Sequence, residues 1–267
     1  MKRIDLFEFE DFNWFPNWIR ICLTRLMVVM HKVLGTNREL AALVNRALAF
    51  SPEPAIVDLC SGSGGTMMEV AKTLKEDVKI NNLKLTLTDL YPNRELALQV
   101  NRDPSGHISY LSSPIDASDV PAHMTGVRTM VCSFHHMDPV TARAILADVK
   151  ESRQPICIFE ISDNSFPILL WWIAIPLNFL MTFFLTPFVR PFTWTQLFFT
   201  YVIPVIPIFF AWDGAVSNAR TYTLEDLDIL LDGLETDDYK WEKGIIKGRG
   251  KMIYLLGMPV NFEKKRM

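Results

Sequence analysis

The sequence has little cysteine, and what there is stands apart: Cys22, Cys60, Cys132 and Cys157 form no CxxC pair in 267 residues. That spacing excludes a zinc ribbon and the disulfide framework of a small secreted domain, and it predicts a reducing compartment. Neither sign of charge is in surplus, with 27 Lys+Arg against 30 Asp+Glu. No basic field is therefore available to hold a phosphate backbone, and nucleic acid is not an expected partner. At the N-terminus, Met1-Lys2-Arg3 leads into an acidic and aromatic stretch with Asp5, Glu8, Glu10 and Asp11. An uninterrupted apolar run is missing there, so no export signal is expected. Internal repeats and low-complexity linkers are absent as well. A chain of this length holds one α/β domain plus an elaboration more readily than two independent domains.

A more pointed absence is local. Residues 166–189 carry no charge, and after Arg190 residues 191–212 carry none. Each run is close to the ~20 residues that span a bilayer. Pro167, Pro176, Pro187, Pro191, Pro204 and Pro207 interrupt them, and proline kinks or breaks helices. A shallow or re-entrant hairpin therefore competes with a full span. Strands on both sides of the runs must complete one sheet, so the chain enters and leaves on one face of the membrane, with Arg190 at the tip, snorkelling or emerging. A large hydrophobic lid or a dimer interface is the alternative, because exposed apolar surface of this extent needs a partner. The oligomeric state stays open.

Elsewhere apolar periodicity marks the elements. Residues 14–35 read as a helix rich in Trp, Leu, Ile, Val and Met, and residues 37–49 as a second helix with Leu40, Leu43, Val44 and Ala47 along one stripe. Ser51-Pro52-Glu53-Pro54 stops it. Strands are expected at 55–59, 83–88, 108–111, 129–133 and 156–161, with helices at 66–82, 93–101 and 140–152 between them. Short apolar strands alternating with helices predict a parallel sheet covered on both faces. Beyond the uncharged runs come a helix at 224–234 and strands at about 240–247 and 251–256, joined by the hairpin signal Gly248-Arg249-Gly250.

The first strand runs through Asp58-Leu59-Cys60-Ser61-Gly62-Ser63-Gly64-Gly65 into a helix. Glycines there let the backbone turn tightly and approach a ligand, and the helix N-terminus offers free N–H groups. A dinucleotide fingerprint would place a third glycine at residue 67, which is Met67, so NAD or FAD is disfavoured. The second strand ends at Asp89, where a ribose diol can donate hydrogen bonds to a carboxylate. With these residues the chain resembles the class I S-adenosylmethionine-dependent methyltransferases. The glycine turn resembles their first motif, with Cys60 where a glycine is more usual. The resemblance implies S-adenosylmethionine as cofactor, bound by Asp58, Ser61, Gly62, Gly64, Asp89, Leu90, Asp116, Ala117 and Ser133. In it Asp89 holds the ribose hydroxyls, and Asp116, in Pro114-Ile115-Asp116-Ala117, lies near the adenine amino group. It also implies a Rossmann-like seven-stranded mixed sheet in the order 3-2-1-4-5-7-6, to which this chain adds N-terminal helices and an apolar helical insertion. Asp213-Gly214-Ala215-Val216-Ser217 through Arg220-Thr221-Tyr222 resembles the signature of one bacterial branch of that family. Expected boundaries are an N-terminal helical segment at 1–54, the methyltransferase domain at 55–162 and 213–260, and a hydrophobic membrane-associated insertion at 163–212.

Chemistry is expected from Ser133-Phe134-His135-His136-Met137-Asp138, at the fourth strand end. Imidazole titrates near neutral pH and can take a proton from a hydroxyl or carboxyl acceptor, which makes His135 and His136 candidate catalytic groups; packing the cofactor pocket is their plainer role. Glu160, at the fifth strand end, is a second candidate base or substrate-orienting acid, and equally a satisfied structural carboxylate. Trp194, Arg220 and Tyr222 are candidate acceptor-binding residues. Arg220 and Tyr222 suit an anionic group, or else cap the helix beginning near Thr223. The alternative role for Asp58 is to cap the helix after the glycine turn, and for Asp89 and Asp116 to be ordinary loop acids. The expected reaction is methyl transfer, with oxygen the leading acceptor atom, to a lipid or other hydrophobic small molecule at the membrane, the catalytic domain lying on the cytoplasmic side. No metal is expected. A membrane adaptor that keeps the fold without catalysis and an NAD-linked oxidoreductase are the rivals.

Overall fold

Of the seven strands, the central ones are short and rich in Val, Ile and Leu, the composition that both-face burial demands. In the computed structural model, which describes residues 1–103, 106–164 and 168–260, the seven are β1 (Ala55–Asp58), β2 (Lys84–Leu87), β3 (Ile108–Tyr110), β4 (Val127–Val131), β5 (Ile156–Glu160), β6 (Tyr239–Lys247) and β7 (Lys251–Pro259). They form one sheet in the order β3-β2-β1-β4-β5-β7-β6. The first five run parallel, while β7 is antiparallel to both β5 and β6. This is the Rossmann-like mixed sheet that the sequence led us to expect. Register brings Asp58 opposite Leu87 on β2 and Thr129 on β4, so the carboxyl ends of the central strands open on one rim, where ligands of open α/β sheets bind.

Helices α1 (Asn17–Leu34), α2 (Thr36–Leu48), α3 (Gly65–Glu76), α4 (Arg94–Val100), α5 (Pro139–Glu151), α6 (Ala174–Leu185), α7 (Trp194–Tyr201), α8 (Val205–Arg220) and α9 (Leu224–Leu231) complete the chain. One sheet face buries Leu40 and Val44 of α2 and Val70 and Leu74 of α3 against Leu85 and Phe159. The other buries Ile145 and Leu146 of α5 and Leu227 and Leu230 of α9 against Met130, Ile158 and Leu255. A third cluster joins Ile19, Leu23 and Leu26 of α1 to Leu185, Ile206 and Phe210. The N-terminal helices thus divide their work: α2 closes the sheet, and α1 supports the apolar insertion.

Several boundaries differ from expectation. Helix α3 stops at Glu76 rather than 82, and Lys79 just beyond it takes a left-handed φ of 66°. Strand β4 stops at Val131 because Cys132, at φ 51°, turns the chain. Helix α8 runs through residues 212 and 213, where the insertion was expected to end. Asp213 does not break it, because the buried carboxylate accepts a hydrogen bond from the Phe9 backbone N–H at 2.8 Å. Phe166 and Pro167, from the first uncharged run, lie outside the described residues. The stretch Trp171–Phe188 is long and apolar enough to cross a membrane by length and composition. Its regular helix α6 has 12 residues and runs without a break into 3-10 turns at Ile168–Ile173 and Thr186–Phe188, so the stretch rises about 30 Å, close to the thickness of a hydrocarbon core. Helices α7 and α8 meet at an 80° bend.

Candidate functional site

At the β1 tip Asp58 is buried, and its carboxylate accepts the Thr129 hydroxyl at 2.6 Å. It does not cap α3, whose N-cap is Gly64. Burial pushes the Asp58 carboxyl up to about 7, with the Asp89 charge adding to the shift and hydrogen bonds from Ser61 and Thr129 opposing it. The turn that follows uses left-handed backbone at Cys60 (φ 54°), Gly62 (φ 53°) and Gly64 (φ 66°). Cys60 therefore adopts the conformation a glycine would favour, at a cost of order 1 kcal/mol. The two glycines differ in surroundings. A Cβ on Gly62 would meet open space, whereas one on Gly64 would lie 2.5 Å from Leu87 Cδ1. Gly62 leaves its face clear, and Gly64 permits close packing on β2.

Asp89 gathers the neighbouring loop. Its carboxylate accepts the Gly62 N–H and the Tyr91 N–H, each at 2.8 Å, and its carbonyl accepts from Ile115 at 3.0 Å. A carboxylate has about four acceptor positions, so two remain for hydroxyl donors. Leu90 beside it is exposed, and Ala117 is buried. Asp116 is exposed and makes an Asx turn, accepting the Ser118 N–H at 2.8 Å and its hydroxyl at 2.7 Å. Ser61 donates its hydroxyl to the Asp58 carbonyl at 2.8 Å. The buried Ser133 hydroxyl has no partner among the described residues, a donor left for a ligand at this rim. The cofactor-binding residues expected from sequence thus lie on adjoining tips of β1, β2 and β4 and the loop after β3.

Beyond Cys132 the chain enters a 3-10 turn, Phe134–His136. Its two imidazoles lie side by side, 4.4 Å between ring centroids. Glu160 at the β5 tip holds this turn in place. It accepts the Phe134 and His135 N–H groups at 3.0 and 3.2 Å, and its other oxygen lies 2.8 Å from His135 Nδ1. Glu160 is therefore a positioning carboxylate rather than a free base. His136 Nδ1 lies 2.8 Å from Asp11. Both Nε2 atoms face Glu8, at 3.6 Å from His135 and 3.8 Å from His136. Burial opposes the charge on His135, but Glu160 and Glu8 overcome it and hold the imidazole well above its ordinary range. Burial likewise opposes ionisation of Glu8, which His136, His135 and Arg220 nevertheless hold well below the usual carboxylate range. With Glu8 in place His135 is an imidazolium and not a base.

The acceptor-binding expectations fare differently. Arg220 is buried and already neutralised, 2.6 Å from Asp11 and 3.2 Å from Glu8, so it offers no free anion site here. Tyr222 is buried, donates its hydroxyl to the Met137 carbonyl at 2.7 Å and lies under the Arg3 guanidinium. Neither caps the next helix, because Thr223 and Asp226 form its capping box. Trp194 is 84% exposed at the start of α7 and belongs to the apolar surface of the insertion. Sequence reasoning missed Glu8, Asp11 and Ser217, whose hydroxyl donates to Glu8 at 2.9 Å. Their signal was faint: acids among aromatics at the N-terminus, and a serine one helical turn before Arg220.

No protein-family model and no curated protein matches the chain. Among solved structures it is similar to an O-methyltransferase from neocarzinostatin biosynthesis in complex with S-adenosylmethionine and 2-hydroxy-5-methyl naphthoic acid, with 14% identity, 82% of this chain and 52% of that one covered, and a TM-score of 0.47. It is similar also to human N-acetylserotonin methyltransferase in complex with S-adenosylmethionine, with 13% identity, coverage of 88% and 55%, and a TM-score of 0.48. The mitomycin 7-O-methyltransferase gives 16% identity, coverage of 84% and 54%, and a TM-score of 0.48. The chain spans about half the length of these structures.

Proposed function

We propose that the chain is an S-adenosylmethionine-dependent methyltransferase that methylates an oxygen of a lipid or other hydrophobic small molecule at a membrane surface. The observation that carries the cofactor assignment is the rim itself: a left-handed turn with an open face at Gly62, beside Asp89 with acceptor positions to spare and the unpartnered Ser133 hydroxyl. These residues fit an adenosyl ligand, with Asp89 for the ribose hydroxyls, Asp116 near the adenine and Asp58 toward the amino-acid end. When bound, that cofactor supplies an electrophilic methyl group. The chain's part is to align a nucleophile with it in a dry pocket and to manage one proton. Glu160 fixes the His135 ring through Nδ1, so Nε2, which faces Glu8 at 3.6 Å, is the atom left to meet an acceptor. Withdrawal of Glu8 would lower the imidazole into the range in which Nε2 takes a hydroxyl proton, with His136 beside it as the second acceptor-side group.

Support for the membrane comes from the insertion. Trp172, Leu177, Phe184, Phe188, Phe192 and Trp194 are all exposed, and Arg190 is the one charge between residues 166 and 212. Tryptophans around an apolar face suit the lipid–water interface. The last turn of α8 carries Arg220 to Asp11 and to the His136 carbonyl at 3.0 Å, so a membrane met by the insertion would lie beside the same rim. The 80° bend between α7 and α8 favours shallow, one-sided docking of that pair over a straight second span. The free thiols of Cys22, Cys60, Cys132 and Cys157 agree with a cytoplasmic face. The test is production of S-adenosylhomocysteine by the purified chain supplied with S-adenosylmethionine and a membrane lipid extract. Turnover that falls at least about 100-fold in His135→Asn supports the reading, and no turnover with any lipid fraction refutes it.

A further inference from the structure

The arrangement of Glu8, His135 and His136 asks for something between them. Their nearest ligand atoms, one from each residue, lie within 4.8 Å of one another. Both imidazoles turn Nδ1 outward to a carboxylate, His135 to Glu160 and His136 to Asp11, each at 2.8 Å. With both rings neutral each Nδ1 is the natural donor, which leaves the Nε2 lone pairs pointing at Glu8 across 3.6 and 3.8 Å. Among the described residues buried His135 Nε2 has no hydrogen-bond partner. Two lone pairs and a carboxylate facing one another repel unless a positive species lies among them. Either protons or a metal ion can supply it.

We infer that Glu8, His135 and His136 form a binding site for one divalent first-row transition-metal ion of the zinc class. Three lines support the metal over protons alone. The donor set, two imidazole nitrogens and one carboxylate, is that of open-site zinc and related centres, which keep a further position for water or substrate. Each donor is also held from behind, as ligands in metal sites are: Glu160 and Asp11 fix the imidazoles, while Arg220 and Ser217 fix Glu8 at 3.2 and 2.9 Å. The charge is suitable too. Glu8, Asp11 and Glu160 are set against one paired guanidinium, Arg220, since Arg3, which donates to the His135 carbonyl, has Asp5 at 3.7 Å. Tetrahedral ligation at about 2.0–2.1 Å sets donors about 3.3 Å apart, so the side chains need to draw in by about 1.5 Å at most. A cation there would hold and acidify an acceptor hydroxyl, the work otherwise left to a free imidazole. The purpose rests on the proposed function; the binding does not.

The experiment is titration of the chelator-treated, dialysed full chain with Zn²⁺ by calorimetry, and with Co²⁺ by visible absorption. His136→Gln, Glu8→Gln and Asp11→Asn are titrated in parallel, and circular dichroism confirms that each variant is folded. One ion per chain is expected, weakened at least about 100-fold in His136→Gln and Glu8→Gln and about 10-fold or more in Asp11→Asn. Absence of a one-to-one ion in the folded wild type overturns the inference, as does unchanged affinity in His136→Gln. If Glu8→Gln fails to fold, the partly exposed His136 and the Co²⁺ absorption band of the wild type decide the matter. S-adenosylmethionine titration of the same samples is a separate readout, so loss of metal and loss of cofactor are distinguishable.

Discussion

At the scale of single residues, the rim carries its chemistry in side chains whose ordinary solution behaviour the fold has altered. Asp58 ionises near 7 when folded, against 3.8 in the unfolded chain, chiefly through burial. Between these values the folded chain binds a proton that the unfolded chain has released. The stability that this proton provides is present below pH 4 and is lost as pH rises through 7. Asp58→Asn should remove that slope and be the more stable protein at pH 8, by roughly 1–3 kcal/mol, in urea unfolding at pH 5 and pH 8. A variant with the wild-type slope would show that Asp58 is not the buried acid described above. The residues of this rim were legible in unequal measure. Asp58, Gly62, Asp89 and His135 announce themselves because each sits where a strand ends, a place readable from apolar runs alone. Glu8 and Asp11 do not, because their histidine and arginine partners lie more than 120 positions away and only the folded chain joins them. Arg220 misled for the same reason: a lone arginine reads as an anion site until its two carboxylates are found.

At the scale of elements, the strands and the terminal hairpin followed from short apolar segments and the Gly248-Arg249-Gly250 turn, whereas α8 did not follow from its composition. A run defined by the absence of charge ends at Asp213, yet the helix continues, because Phe9 donates to that carboxylate and Glu8 pairs with Arg220 a further two turns along. Removing residues 166–212 would therefore cut α8 and strip Ile206 and Phe210 from the cluster that holds α1. Point substitution is the cleaner probe of the apolar surface. Phe184 and Phe188 are 74% and 67% exposed, so charge placed there costs little folding energy. Phe184→Glu combined with Phe188→Glu should leave the melting temperature within a few degrees and move most of the protein out of the floating liposome fraction. Flotation equal to wild type would mean that this face does not meet the bilayer.

At the scale of the molecule, one sheet brings three things to a single edge: a glycine turn with two acids, a histidine pair held by carboxylates, and a hydrophobic platform. The N-terminal segment ties the last two together, since Glu8 and Asp11 bridge the histidine turn to α8 while Trp212 donates to the Phe7 carbonyl at 3.0 Å. Cofactor, acceptor and membrane surface would thus meet where the parallel strands end. The account depends first on the cofactor. Calorimetric titration of the purified chain with S-adenosylmethionine, alongside Asp89→Ala of matching melting temperature, measures it directly. The expected result is one bound cofactor per chain and a loss of affinity of about 10-fold or more in the variant, the cost of removing charged acceptors from two hydroxyl donors. No heat from the folded wild type, or the same affinity in Asp89→Ala, would contradict it.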